Sequence, residues 1–324
     1  MDFEQKYHAY KALVDRYLAD AIQASQPRSL YQPLKYVLAG GGKRIRPILV
    51  LLACEAVGGK TGDALHAGAG IEILHNFTLV HDDIMDHAHS RRGRATVHTK
   101  WDKNVAILVG DELLALAYRM LLKTSSPRIQ DIASVFTEGV VEVCEGQAYD
   151  KEFEKKSVTV DDYLVMIGKK TGKMVSVATE IGALIGNGSD AEVAALREYG
   201  ALAGQAFQIQ DDVLDLTGDE KKLGKKIGGD VQEGKKTFLY LDAYRRAKGG
   251  DRALLKEIFG NGKISRRMVD EVRRIYAETG ALERARARVG QDIAEANQKL
   301  ARLKDTQARA MLYWFSDMLL HRTY

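Results

Sequence analysis

The amino-acid sequence predicts an all-α protein, and three observations carry that expectation. The 324 residues hold only four prolines (Pro27, Pro33, Pro47 and Pro127), so no helix breaker of that kind follows residue 127. The long proline-free stretch is rich in Ala, Leu, Glu, Lys and Arg, which lose little conformational freedom in a helix. Runs of alternating β-branched residues, the mark of half-buried strands, are missing. Interruptions come instead at Gly58-Gly59, Gly186-Asn187-Gly188, Gly228-Gly229, Gly249-Gly250 and Gly260-Asn261-Gly262, which fit helix C-caps and interhelical loops. About ten or more helices are expected, in a single domain spanning residues 1–324.

Composition narrows the class. With 45% hydrophobic and 28% charged residues and a net charge of +4, the chain is neither disordered nor fibrous and is long enough for a sizeable core. Cys54 and Cys144 form no CxxC pair and are too few for a disulfide scaffold, which fits a reducing, cytoplasmic setting. The amino terminus shows no basic-then-apolar leader. The best apolar run, Ile48 to Ala53, falls well short of the roughly 18 residues of a membrane span, so no stable membrane insertion is expected.

Along the chain, Gly40-Gly41-Gly42-Lys43-Arg44-Ile45-Arg46-Pro47 comes first. It offers backbone N–H groups and three cations before a helix, a phosphate site in composition without being a P-loop. A helix over 64–88 follows, apolar nearly all round and therefore buried. It carries Asp82-Asp83-Ile84-Met85-Asp86, in which Asp82 and Asp86 lie one turn apart on one face. The same spacing recurs at Asp211-Asp212-Val213-Leu214-Asp215, again after an apolar segment. Acids in buried helices are costly unless neutralised. Two such clusters facing each other would make an oxygen-rich hole suited to Mg²⁺ and phosphate oxygens. By contrast, Asp161-Asp162 lacks the third acid and follows Thr159, so it reads as a helix cap.

Each acid cluster is followed by cations. Arg91-Arg92-Gly93-Arg94 succeeds the first, and residues 218–237, with six lysines and five glycines, succeed the second. Metal ions and cations at one place imply a diphosphate substrate, and two separate basic groups imply two diphosphates. The mixed-sign stretch from Glu283 to Arg309 reads as a solvated helix face, not a nucleic-acid track. His75, His81, His87, His89 and His98 lie close together, yet none shows HExxH spacing. A His-Asp phosphohydrolase centred on His81-Asp82 would leave the second acid cluster and the glycine-rich basic loop unexplained.

Together these residues resemble the trans-isoprenyl diphosphate synthases. The likeness runs from Gly41 to about Lys236 in the family's order: GGKRIRP (41–47), His75, DDIMD (82–86), RRG (91–93), GKKTG (168–172), FQIQDD (207–212) with Asp215, and the lysines of the following loop. It implies an all-α isoprenoid-synthase bundle around a deep central cavity, a homodimer, and head-to-tail condensation of isopentenyl diphosphate with an allylic diphosphate. It further implies that Asp82, Asp86 and Asp211 hold Mg²⁺, three ions per site, assisted by Asp83, Asp212 and Asp215. Arg91, Lys170, Lys225 and Lys235 would grip the allylic diphosphate, with Thr171 and Gln208 beside the allylic carbon. Gly42, Lys43, Arg46, His75 and Arg92 would bind isopentenyl diphosphate. The sequence departs from many bacterial members in its short DDxxD form, and its end, His321-Arg322-Thr323-Tyr324, lacks a basic tail.

The chemistry suits this set. Ionising an allylic C–O bond leaves a delocalised cation and a highly charged leaving group, which cations stabilise while apolar walls exclude water. No side chain needs to act as nucleophile. A product tail growing from Asp82 toward the helix start would pass Thr78 and Phe77, then Leu74 and Ile71, with one turn of about 5.4 Å matching one isoprene unit. In the family that the sequence resembles, a single aromatic at this place goes with C20 products, so the resemblance implies Phe77 as floor and geranylgeranyl diphosphate (C20) as product, with farnesyl diphosphate as intermediate or co-product. The competing readings are a class I terpene cyclase, disfavoured by Lys43, Arg46 and Arg92, and a catalytically silent subunit on the same fold, disfavoured because no acid or lysine is missing.

Overall fold

A computed structural model describes residues 2–218, 227–261 and 266–321. Among them the chain forms α1 (Phe3–Asp20), α2 (Arg28–Leu38), α3 (Ile45–Ala56), α4 (Thr61–Met85), β1 (Ser90–Arg91), β2 (Arg94–Ala95), α5 (Val97–Lys100), α6 (Lys103–Leu121), α7 (Ile129–Phe153) and α8 (Val160–Ile167). A π-helical turn, Gly168–Gly172, leads into α9 (Lys173–Ile185) and α10 (Asp190–Thr217). The short α11 (Gly229–Gln232) precedes α12 (Phe238–Arg246), α13 (Gly249–Asn261), α14 (Arg266–Glu278), α15 (Ala281–Leu300) and α16 (Gln307–Leu320). The expected all-α class therefore holds. The hairpin β1–β2, antiparallel with Arg91 opposite Arg94, is an addition the sequence pattern did not announce.

Two compact units share these elements. The first comprises Met1–Thr137, Val177–Arg197 and Arg302–Leu312; the second comprises Glu138–Ser176, Glu198–Ala301 and Tyr313–Tyr324. In the first, α3 is apolar on every side and buried, with Ile48, Val50, Leu51 and Leu52 excluded from water. Pro47 sits in its first turn, where no intrahelical N–H bond is lost. Buried Ile71, Ile73 and Leu74 of α4 and Val109, Leu113 and Leu116 of α6 build the centre of this unit, where α4 packs along α6. Fully burying a side chain of this kind contributes about 1.5–3 kcal/mol. The predicted helix over 64–88 runs from 61 to 85 instead. Asp86 is its C-cap and His87 takes a left-handed φ of 52°, which ends the helical path.

The second unit packs buried Tyr199, Ile209 and Val213 of α10, Tyr163 of α8, Val272 and Ile275 of α14, and Val289 and Ile293 of α15. The expected cap at Thr159 is a full capping box, with Asp162 returning the hydrogen bond. Gly249-Gly250 opens α13 and does not close a helix, because α12 already stops where Ala247 turns extended. Buried acids in this unit are paired: Asp242 with Arg284, and Asp292 with Arg288 one turn away at 2.7 Å. Gly146 of α7 lies so close to the π-turn that a Cβ there would come 2.4 Å from the Lys170 nitrogen.

Candidate active site

In the first unit, α4 ends on the first acid cluster. The Asp86 N–H donates to the Asp82 carbonyl at 2.8 Å, so both carboxylates leave the helix end on one face, Asp82 half-buried and Asp86 exposed. Asp83 points inward. It accepts from Arg91 Nε at 2.8 Å, and burial raises its pKa despite that arginine. Arg91 is placed by the hairpin, whose two-residue turn, Arg92-Gly93, has φ of 52° and 72°, the doubly left-handed form that matches strand twist.

The glycine-rich loop before α3 lies beside this hairpin. Gly42, at φ 145°, takes a backbone conformation that side chains resist, and a Cβ there would meet Arg92 Nη1 at 2.8 Å. Arg92 in turn donates to the Gly41 carbonyl. Of the three cations counted in the sequence, Lys43 is exposed and Arg46 half-buried. Arg44 is not available to a ligand: it is buried and bonded to Asp15 (2.8 Å) and Glu72 (2.6 Å). Arg46 Nη1 lies 3.2 Å from His75 Nε2. Burial, with Arg46 and Arg92 nearby, holds His75 well below its ordinary pKa, so the ring is neutral and accepts that bond. Gly42, Lys43, Arg46, His75 and Arg92 thus belong to one unit, on adjoining elements.

The predicted floor residues sit on α4. Ile71 and Leu74 are fully buried, Phe77 is buried, and Thr78 is half-buried with its hydroxyl on the His75 carbonyl at 2.8 Å. Phe77 packs edge-on against His81 at 4.8 Å between ring centroids. The His81 ring presses on Gly110 of α6, where a Cβ would lie 2.1 Å from Nε2. His81 and Gly110 therefore brace Phe77, a role that no spacing in the sequence signals.

In the second unit, Asp150, Tyr163, Lys170, Thr171, Gln208, Asp212, Asp230 and Lys235 line a pocket of about 140 Å³. The GKKTG segment supplies Lys170 and Thr171 from its wide π-turn, a distortion common at functional sites. Lys170 pairs with Asp150 at 2.6 Å, and the Thr171 hydroxyl donates to Gln208 Oε1 at 2.9 Å. Gln208 Nε2 donates to Asp212 Oδ1 at 3.2 Å, and the Tyr163 hydroxyl donates to Asp212 Oδ2. Burial raises the Asp212 pKa well above the usual range, with Asp230 adding to it. Asp215 is buried and accepts the Asp230 N–H at 2.9 Å, anchoring α11. Asp211 is half-buried. Burial works against the charge on Lys235, but Asp230 and Glu233 outweigh it and raise its pKa. Lys236 plays another part: it donates to the Phe153 and Lys156 carbonyls at 2.7 Å and caps the end of α7. Lys225 lies outside the described residues. Asp150, Tyr163 and Asp230 were not singled out from the sequence, because each is alone in its stretch and gains its meaning only from the fold.

The donor chemistry of both clusters is hard oxygen, which fits Mg²⁺. Among the described residues no three His, Cys, Asp or Glu groups gather into a protein-only metal site. Asp86 is exposed and Asp82 and Asp211 are half-buried, and carboxylate oxygens of this kind suit an ion that completes its shell with water and substrate oxygens.

A helical fold and two D-D-x-x-D turns, each with cations in the same unit, define a protein that handles diphosphates. Residues 27–279 match the polyprenyl synthetase family. The chain is 39% identical to the short chain isoprenyl diphosphate synthase of Methanothermobacter thermautotrophicus, over 100% of this chain and 99% of that one. It is 38% identical to the geranylgeranyl diphosphate synthase of Methanosarcina mazei, over 96% and 95%. Its structure matches the crystal structure of geranylgeranyl pyrophosphate synthetase from Pyrococcus horikoshii with a TM-score of 0.94 at 36% identity, covering 99% and 100% of the two chains. The chain belongs to the polyprenyl synthetase family of prenyltransferases, which share the all-α isoprenoid synthase fold and use divalent metal ions. Among the described residues no helix is long and apolar enough to cross a membrane.

Proposed function

We propose that this enzyme condenses isopentenyl diphosphate head-to-tail with C5, C10 and C15 allylic diphosphates and releases geranylgeranyl diphosphate, with farnesyl diphosphate as intermediate. The observation that carries the reading is the second-unit pocket, where Lys170 and Lys235 stand among acids beside Thr171 and Gln208. Two lysines there bind the allylic diphosphate and stabilise it as it departs. Asp82, Asp86 and Asp211 would hold the divalent ions, three per site, with Asp83, Asp212 and Asp215 in support. Bound ions would supply further charge neutralisation at the leaving diphosphate. Thr171 and Gln208 present oxygens to the allylic carbon, and their mutual hydrogen bond keeps both oriented.

Gly42, Lys43, Arg46, His75 and Arg92 hold isopentenyl diphosphate, whose double bond attacks the allylic carbon. The departing diphosphate then takes the proton that restores the alkene. Phe77, braced by His81, stops the growing tail. Exposed Ile107 and Leu108 on α6, with Leu122 exposed at its C-cap, support a homodimer. The exposed thiol of Cys144 and the buried one of Cys54, neither in a disulfide, support a reducing cytoplasmic setting.

The test is a product assay with Mg²⁺, isopentenyl diphosphate and each allylic starter, sizing the dephosphorylated products by mass spectrometry. A metal-dependent C20 alcohol is expected, and EDTA abolishes it. Longer products would discard the Phe77 floor. Hydrolysis or cyclisation without elongation would point to a terpene cyclase or a subunit lacking its partner.

A further inference from the structure

We infer that the amino-terminal helix α1 is a positioning element for the isopentenyl diphosphate loop, acting through Tyr7 and Asp15; this rests on the reading of that loop given above. Both residues lie before position 27, where the family match begins. The Tyr7 hydroxyl donates to the Lys43 carbonyl at 2.6 Å. Two turns further along, Asp15 accepts from Arg44 Nε at 2.8 Å.

Arg44 is the reason the loop needs such a hold. It takes a left-handed φ of 52° at the N-cap of α3, a conformation that a residue with a side chain keeps only where its surroundings over-determine it. Here they do. The guanidinium is buried, and besides Asp15 it bonds Glu72 of α4 at 2.6 Å and the Leu38 carbonyl at 3.3 Å. Turning Arg44 inward leaves its neighbours Lys43 exposed and Arg46 at His75, the two cations assigned to the substrate. Asp15 therefore fixes the side chain that sets the loop's hand, while Tyr7 fixes the carbonyl one residue earlier. Buried Tyr10, Val14 and Leu18 seat α1 on the unit, and the Tyr10 hydroxyl bonds Glu55 of α3, so the helix is itself well placed to hold the loop.

Steady-state kinetics of the full-length enzyme with Mg²⁺ test this, using Tyr7→Phe, Asp15→Asn and Asp15→Glu. Tyr118→Phe serves as control, since it also loses one tyrosine hydroxyl bond (to Thr137 at 3.0 Å) but lies away from the loop. Tyr7→Phe and Asp15→Asn should each raise the KM for isopentenyl diphosphate about 3- to 10-fold, the weight of one hydrogen bond. The allylic KM should stay within about twofold. Asp15→Glu should recover part of the loss, and Tyr118→Phe should change neither constant. Unchanged isopentenyl diphosphate KM values, or equal rises for both substrates, would overturn the inference. Arg46→Ala separates the two levels. If it too leaves that KM unchanged, the loop is not the isopentenyl diphosphate site; if it raises KM while the α1 variants do not, only the role of α1 falls.

Discussion

The two acid turns have the same spacing and different fates. Asp82 and Asp86 close α4 at its exposed end, and only Asp83 is drawn inward, onto Arg91. In the second turn Asp212 and Asp215 are both buried and held by protein groups, Asp212 by Tyr163 and Gln208, Asp215 by the N–H of Asp230. The first two carboxylates of each turn lie within a helix, and the third is the C-cap of α4 in one copy and inside α10 in the other. What differs is the neighbourhood: one cluster ends a helix in solvent, the other lies where α8 and α11 press on α10. A repeated motif thus keeps two acids out of the core in one copy and one, Asp211, in the other, while Asp83, Asp212 and Asp215 are buried.

The strongest way to break this comparison is to neutralise the acids one at a time. Asp82→Asn should lower kcat/KM about a thousandfold with little change in Tm. An Asp215→Asn variant of equal kinetic effect would show that the second copy is used like the first. Phe77→Ala, confined to the first unit, should move products beyond C20 while elongation continues; an unchanged product spectrum would remove Phe77 and His81 from the ruler. Tyr163→Phe leaves buried Asp212 without its hydroxyl donor. The expected cost is about 1–3 kcal/mol in urea unfolding, together with a fall in kcat, and equal stability would mean that Asp212 finds another donor.

Asp215→Ala should be milder, lowering stability by about 1 kcal/mol as the Asp230 N–H loses that acceptor. The smallest effect is on pH dependence. His75 is held neutral in the fold, below its ordinary value of about 6.5. The unfolded chain therefore binds the extra proton first as pH falls, so this histidine's contribution is complete above about pH 7 and declines as pH drops below about 6.5. His75→Gln should flatten that part of the stability profile, and an unaltered slope would assign it to other groups.

Much of this was legible in the residues. Absence of proline after Pro127, glycine punctuation and the cap at Thr159 gave the helical class and several boundaries, because those signals act within one or two turns of chain. The D-D-x-x-D turns and the GKKTG segment were visible for the same reason. Other features were not. The hairpin at 90–95 needs only two residues per strand, too short for any period to register. Arg44 looked like one of three substrate cations until burial placed it against Asp15 and Glu72, residues 29 positions before it and 28 after it, as the hydrogen bonds record. Tyr163, Asp150 and Asp230 carry no local pattern.

The sequence by itself determined the helices, the two acid turns and the two kinds of basic segment, since each follows from bond geometry and side-chain chemistry over a few neighbouring residues. Only the tertiary structure decided which members of those groups stay at the surface and which are built into the fold. That choice depends on burial, and burial of a polar group such as Asp212 or Arg44 is tolerated only where distant segments bring it a matching hydrogen-bond donor or acceptor.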